Sequence, residues 1–288
     1  VNLNSIALAI LNALSLAMLL FLLAAGLSIT FGLMRVLNMA NSSFFLIGAY
    51  IGLSIWTATG NFVLALIVGA VSMGLAGMLL FSTLLRRFSR EEELPQALLT
   101  FGVVFVAADL ALITWGGNTQ RLPPPDYLAG AVLLGPVAYP KYRFFLIVFG
   151  LILAGLLYLG ISRTRLGAMI RAGEDDTETA QALGINIPRA RLLVFGFGSL
   201  LAGLGGVLGA PYLGIYPGED LETMLLAFAV VIVGGTGSIE GAFFASVIVA
   251  LTDTLAKTYV PALSYFSIYA PMALILAFRP SGLLGRRA

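Results

Sequence analysis

Two carboxylates, Asp109 and Asp253, fall inside long apolar stretches of a 288-residue chain. An ionised side chain at a bilayer centre costs about 2.5–3.5 kcal/mol, so each must turn to the bundle interior, find a partner or take up a proton. Asp253 has Lys257 four residues on, the i, i+4 spacing of a helical ion pair. Asp109 has no Lys or Arg at that spacing, which leaves an interhelical hydrogen bond, or a proton-carrying group in a stand-alone secondary transporter, as alternative roles. Glu240 lies between Ser238 and Gly241 at a turn, where solvent or a partner can satisfy it. Composition removes most other chemistry. With no His and no Cys, the chain cannot build His/Cys zinc sites, thiol nucleophiles, Ser-His-Asp triads or disulfides. No nucleophile–base set for an intramembrane enzyme is left, so the chain reads as a non-enzyme. Sixteen Lys+Arg against 14 Asp+Glu give a net charge of +2, too little for a nucleic-acid face.

The elements that hold these residues are membrane helices. The chain is 59% hydrophobic and only 10% charged, against roughly a quarter charged in a soluble domain. Apolar stretches run 5–34, 44–56, 62–85, 96–115, 144–162, 192–213, 224–235, 242–256 and 263–278. At about 20 residues per crossing, eight or nine spans consume the chain. The expected fold is an all-α polytopic membrane protein of one transmembrane domain, 1–288, some of whose segments are short or broken. Stretch 5–34 lacks the basic start and small-residue cleavage site of a signal peptide and reads as the first span. If all nine cross with the N-terminus outside, the cytoplasmic face receives Arg35, Arg86, Arg87, Arg90, Arg163, Arg165, Arg171, Arg189, Arg191, Arg279, Arg286 and Arg287, and the outer face Arg121, Lys141, Arg143 and Lys257. That bias places the C-terminus in the cytoplasm.

The two shortest stretches, 44–56 and 224–235, are flanked by polar and glycine residues. Broken helices survive in lipid only when buried in protein or lining a cavity, and a pair of them in opposite halves marks a transport pathway. The pathway candidates are therefore Asn38, Asn41, Ser42, Ser43 and Tyr50 in the first half and Gly234, Gly235 and Thr236 in the second. Uncharged hydrogen-bonding groups beside aromatics suit passage of a small zwitterion or amide. The glycines also serve close helix packing, as do Gly205 and Gly209 in G-x-x-x-G with Gly196, Gly198 and Gly203 nearby.

The loop over 163–191 carries nine of the 30 charges. Glu174, Asp175 and Asp176 suit the first turn of a short helix, Ala180, Ala182 and Leu183 its apolar face, and Gly184 its stop. Asn186 then caps the next helix, with Pro188 in its first turn. An exposed apolar stripe on such a helix fits another protein's groove. The sequence G-x-x-x-x-G-K-[ST] is absent, since neither Lys141 nor Lys257 follows a glycine. Any ATP that drives this chain is bound by a partner. Loop 117–143 contains Pro123, Pro124, Pro125, Pro136 and Pro140, a stiff segment for a docking protein or a plain tether.

Four stretches carry a family resemblance: FGLMRVLNMANSSFFLIGAYIG (31–52), LGAMIRAGEDDTETAQALGIN (166–186), VGGTGSIEGAFFAS (233–246) and RPSGLLGR (279–286). Over nearly its whole length the chain resembles permease subunits of ATP-binding-cassette importers for branched-chain amino acids, of the LivH/LivM type, which also handle amides and urea. It departs from the family pattern at Asn41-Ser42, where His-Gly is common, and at Glu240, where proline is frequent. The resemblance implies an importer permease fold in a bacterial plasma (inner) membrane. It also implies a second permease subunit, identical or related, two ATP-binding-cassette ATPase subunits that hold ATP and Mg, and an extracytoplasmic substrate-binding protein. In that reading Arg171, Gly173, Glu174, Asp175, Asp176, Ala180, Leu183 and Gly184 belong to the loop that takes the ATPase's stroke.

Overall fold

Lipid offers a backbone group no hydrogen-bond partner, so apolar runs in a membrane must become helices. The computed structural model describes residues 3–34, 38–88, 93–135 and 137–285. In chain order the helices are α1 (Leu3–Met34), α2 (Ala40–Thr59), α3 (Phe62–Leu80), α4 (Arg86–Phe88), α5 (Glu93–Trp115), α6 (Lys141–Arg163), α7 (Arg165–Asp175), α8 (Thr177–Ala182), α9 (Ile187–Leu213), α10 (Glu219–Gly234), α11 (Ile239–Tyr259) and α12 (Tyr269–Phe278). A π-turn over Phe81–Leu85 joins α3 to α4. There the hydroxyls of Ser82 and Thr83 both donate to the Leu79 carbonyl, an intrusion of the kind that loosens a helical ladder.

Seven helices, α1, α2, α3, α5, α6, α9 and α11, are long and apolar enough to cross a membrane. The other two expected spans are shorter. Helix α10 has 16 residues, or about 24 Å, and stretch 263–278 divides into a 3-10 turn (Pro261–Phe266) and the ten-residue α12. The expectation of a broken segment at 44–56 is corrected: α2 is an unbroken 20-residue helix that takes in Asn41, Ser42 and Ser43. A hydropathy window stops at such residues, whereas a helix buried in protein carries them inside.

Loop 117–143 adds a small exception to the all-α architecture. Strands β1 (Ala131–Leu134) and β2 (Val137–Pro140) form an antiparallel hairpin with Ala131 opposite Pro140 and Leu134 opposite Val137. Paired backbone bonds of 2.8 Å between Gln120 and Ile215 fasten the loop to the α9–α10 link. The hairpin marks one end of the bundle, which also holds Arg121, Lys141, Arg143 and Lys257. The α7–α8 end holds Arg86, Arg87, Arg163, Arg171, Arg189, Arg191 and Arg279. Arg35, Arg90, Arg286 and Arg287 of the same expected set lie outside the described residues.

Helix α9 is the centre of the bundle, packed on α3, α2 and α1. Its glycines make that approach. A Cβ on Gly48 of α2 would stand 2.6 Å from Gly203 Cα, and one on Gly206 would run into the Phe45 carbonyl oxygen. The small-residue stripe read from the sequence thus packs helices within this subunit. The Asp253–Lys257 spacing also closes as an ion pair: Lys257 Nζ lies 2.7 Å from Asp253 Oδ2, and Ser267 Oγ donates to Oδ1 at 3.0 Å, tying α11 to the segment before α12.

Because backbone stands where a side chain at 206 would go, Gly206→Val should cost at least about 1–3 kcal/mol, the usual range for overpacking a core. It should lower the thermal unfolding midpoint in detergent. Gly155→Ala, where a Cβ meets nothing within 4 Å, should leave the midpoint unchanged or raise it.

Candidate functional site

The charge-rich loop folds as two helices. Thr164 caps α7, accepting from the Gly167 amide at 3.3 Å, and Arg171 Nη1 donates to the Ile161 carbonyl at the end of α6. Asp176 divides α7 from α8. Its Oδ1 accepts from the amides of Glu178 and Thr179 at 2.9 and 3.1 Å, and its Oδ2 from the Thr179 hydroxyl. Those bonds, the Thr179 hydroxyl first, hold the Asp176 carboxyl below its ordinary value. The expected acidic first turn is thereby corrected: Glu174 and Asp175 belong to the last turn of α7, and Asp176 alone heads α8. The reason is chemical, since only Asp176 is placed to cap. The side chains of Glu174 and Asp175 lie outside the described residues. Gly173 and Ala180 are buried, Leu183 is 78% exposed, and Gly184 (φ +88°) ends the turn in left-handed backbone. Asn186 Oδ1 then accepts from the Arg189 amide at 3.1 Å to start α9, with Pro188 in its first turn.

Two motifs far apart in sequence meet at the α10–α11 turn. The amides of Leu283 and Leu284 donate to the carbonyls of Val233 and Gly234 at 2.8 and 3.0 Å. A Cβ on Gly282 would sit 2.6 Å from Gly235 Cα. Gly235 itself has φ +97°, a conformation that side chains resist. Beside this turn is a cavity of about 460 Å³ lined by Ser28 of α1, Tyr158 of α6, Arg171 of α7 and Thr236, Ser238 and Glu240. Arg171 and Thr236, expected in separate functions, share this space.

The first-half candidates are buried, Asn41, Ser42, Ser43 and Tyr50 in α2 and Asn38 just before it, and line neither end cavity. Asn41 Nδ2 donates to the Leu23 carbonyl at 3.1 Å, and Ser42 Oγ to that of Met39 at 3.0 Å. Both polar side-chain atoms of Asn38, Asn41 Oδ1, Ser43 Oγ and the Tyr50 hydroxyl find no hydrogen-bond partner among the described residues. Tyr50 stacks on Trp115 of α5 at 4.9 Å.

A second cavity of about 340 Å³ opens at the hairpin end. Its wall includes Asn12, Leu20 and Leu23 of α1, Arg143 of α6, and Glu219 and Glu222 of α10. Asn41 stands one layer behind this wall through its bond to Leu23. Arg143 Nη1 donates to Asn12 Oδ1 at 2.6 Å, and its guanidinium lies 4.7 Å from the centre of the Tyr212 ring. Tyr216 donates to Glu222 at 3.0 Å; burial first, then Glu222, pushes its hydroxyl up to about 12. Glu219 and Asp220 are buried at the start of α10 with backbone amides nearby, that of Tyr216 beside Glu219 and those of Gly218, Asp220 and Leu221 beside Asp220, but none of the four carboxylate oxygens reaches hydrogen-bonding geometry with a described residue. The sequence reading missed both acids, because they precede the apolar run 224–235 and look like loop. Acidic residues directly after the Gly214–Gly218 link between α9 and α10, at the head of a helix, were the available signal. Among the described residues no group of three or more potential ligands is gathered for a metal ion.

Comparison with known proteins decides the family. The chain matches the family described as branched-chain amino acid transport system, permease component, over residues 9–277. It belongs to that family. Similar relatives are the high-affinity branched-chain amino acid transport system permease proteins BraD of Pseudomonas aeruginosa and LivH of Escherichia coli (strain K12). Each is 26% identical, over 92% of this chain and 91% of the relative. The autoinducer 2 import system permease protein LsrC of Enterobacter sp. (strain 638) is 28% identical over 66% of this chain and 54% of its own. No solved structure matches. In this permease Asp109 does not turn to the interior: it is exposed on α5, lines neither end cavity, and makes no hydrogen bond among the described residues.

The permease's α8 should depend on pH through its cap. A carboxyl with a lowered folded-state pKa stabilises above its unfolded value and loses that effect as pH falls through the folded one. Corrected for intrinsic rates, amide exchange at Glu178 and Thr179 should accelerate on acidification through that lowered value. Asp176→Ala should be fast at neutral pH, and Asp176→Asn should stay slow without the pH dependence.

Proposed function

We propose that the chain is a pathway-forming subunit of an ATP-binding-cassette importer that carries branched-chain or other small amino acids, amides or urea. Support comes from one geometric relation. The two end cavities lie along α1, where Leu23 borders one and Ser28 the other. Five helical steps, about 7.5 Å, separate them, and Ala24, Ala25 and Leu27 in that interval are buried. Two vestibules with a thin closed floor between them are what alternating access requires. The likeness to amino-acid permeases covers 92% of the chain and that to the autoinducer permease only 66%, which favours amino acids.

In this reading the hairpin end faces the extracytoplasmic binding protein, and the α7–α8 end and the C-terminus face the cytoplasm of a bacterial cell with its inner membrane around the helices. Two ATPase subunits, holding ATP and Mg, grip α7–α8. A second permease, identical or related, completes the complex, and residues 1–288 form one transmembrane unit. Arg171 gives the coupling a physical route: it lines the lower cavity and is bonded to α6, so a push on α7 reshapes that cavity. Asn38, Asn41, Ser42, Ser43 and Tyr50 act as polar backing to the pathway wall, and Gly234, Gly235 and Thr236 as its movable lower lip. The chain itself hydrolyses nothing.

Leu183, exposed and outside the helices, tests the contact without unfolding α8. In the reconstituted complex Leu183→Asp should lower ATP-driven leucine uptake at least about tenfold, the effect of losing an interface anchor worth more than about 1.4 kcal/mol. The purified permease should keep its unfolding midpoint. Unchanged uptake would remove α7–α8 from the coupling.

A further inference from the structure

The hairpin-end cavity holds a carboxyl and a guanidinium with bonding capacity to spare. Glu219 is only 4% exposed, lies in the first turn of α10 and lines the cavity; the Tyr216 backbone is near its carboxylate, but neither oxygen reaches hydrogen-bonding geometry with a described residue. A buried carboxylate left so is a costly arrangement unless something supplies donors and positive charge. Arg143 is held in place by Asn12 and the Tyr212 ring, and one of its five N–H groups is engaged by Asn12. The remaining fork suits a carboxylate. The other charged groups of the wall are occupied: Lys257 pairs with Asp253, and Glu222 accepts from Tyr216. Leucines 16, 20 and 226 supply an apolar face. About 340 Å³ is at the small end of the range for ligand pockets, roughly 300–1,000 Å³.

We propose that this cavity binds the head of an α-amino-acid zwitterion, its ammonium group on Glu219 and its carboxylate on Arg143. The assignment rests on the amino-acid importer reading above and deepens it. A simple cation would be repelled by Arg143 and a simple anion by Glu219; a molecule with one charge of each sign satisfies both. An ammonium group carries three donors, which Glu219 can accept, and the side chain of the amino acid lies against the leucines.

The test uses the full-length chain in lipid nanodiscs without ATP, titrated calorimetrically with L-leucine, with 3-methylbutylamine, which lacks the carboxylate, and with 4-methylpentanoate, which lacks the ammonium group. Leucine should bind at millimolar concentration or tighter, and each analogue at least about tenfold more weakly, the effect of one lost charge-assisted bond. Glu219→Gln should weaken leucine about tenfold without weakening 4-methylpentanoate, and Arg143→Gln should weaken leucine without weakening 3-methylbutylamine. Leucine bound no better than either analogue, or not at all, overturns the assignment. So does a pair of folded variants that bind all three as before. The analogue series on the unaltered chain decides the matter even if a variant fails to fold. ATP-driven uptake by the assembled complex is a separate readout: uptake with a flat analogue series removes only this site, whereas no uptake removes the importer reading itself.

Discussion

Lipid tails are as apolar as leucine, so nothing in a bilayer drives helices together as water does, and the bundle must be held by how closely its backbones can approach. In this chain that approach is concentrated on α9. Gly198 meets Gly26 of α1, Gly203 meets Gly48 of α2, and Gly206 lies against the Phe45 carbonyl. With Gly196 against the Gly74 carbonyl of α3 as well, one helix fixes the positions of three others. In the proposed importer reading the fixed position of α1 matters most, because both end cavities are arranged along it and the buried interval between Leu23 and Ser28 separates them.

Much of this architecture was legible because the bilayer imposes one rule on every crossing segment. The seven long helices coincide with apolar runs, and the cap at Asn186 and the stop at Gly184 stand where side-chain chemistry places them. The errors have separate sources. Polar residues beside an apolar run read as the flank of a short segment, yet Asn41, Ser42 and Ser43 are buried inside α2, which is whole where a break was expected. Glu174 and Asp175 were read as the head of a helix that begins after them, because three consecutive acids do not say which one bonds the free amides.

The site was less legible than the fold. Arg143 and Glu219 are 76 positions apart and each looks like loop chemistry at the edge of a span; only the packing of α6 and α10 around α1 gives them a common wall. Arg171 and Thr236 are likewise neighbours through one cavity and unrelated in sequence. Loop 117–143 shows the converse. Its prolines suggested a stiff spacer, but the segment between them contains a hairpin, and the bridge from Gln120 to Ile215 fastens the whole to the end of the bundle. Asp109 shows that a carboxylate in an apolar helix need not point inward.

The meeting of Gly235 with Gly282 and Gly285 bears on how this sequence can drift. Usually a bulky replacement in a packed contact is rescued by trimming the residue opposite. Here nothing remains to trim, since each partner already ends at its α-carbon and the contact is main chain on main chain. None of the three positions can be compensated by another, and they must be inherited as a unit. Gly130 and Gly135, at the two ends of β1, are held only by their own left-handed backbone; a methyl group on either touches no neighbour, so no such mutual veto between distant codons applies to them.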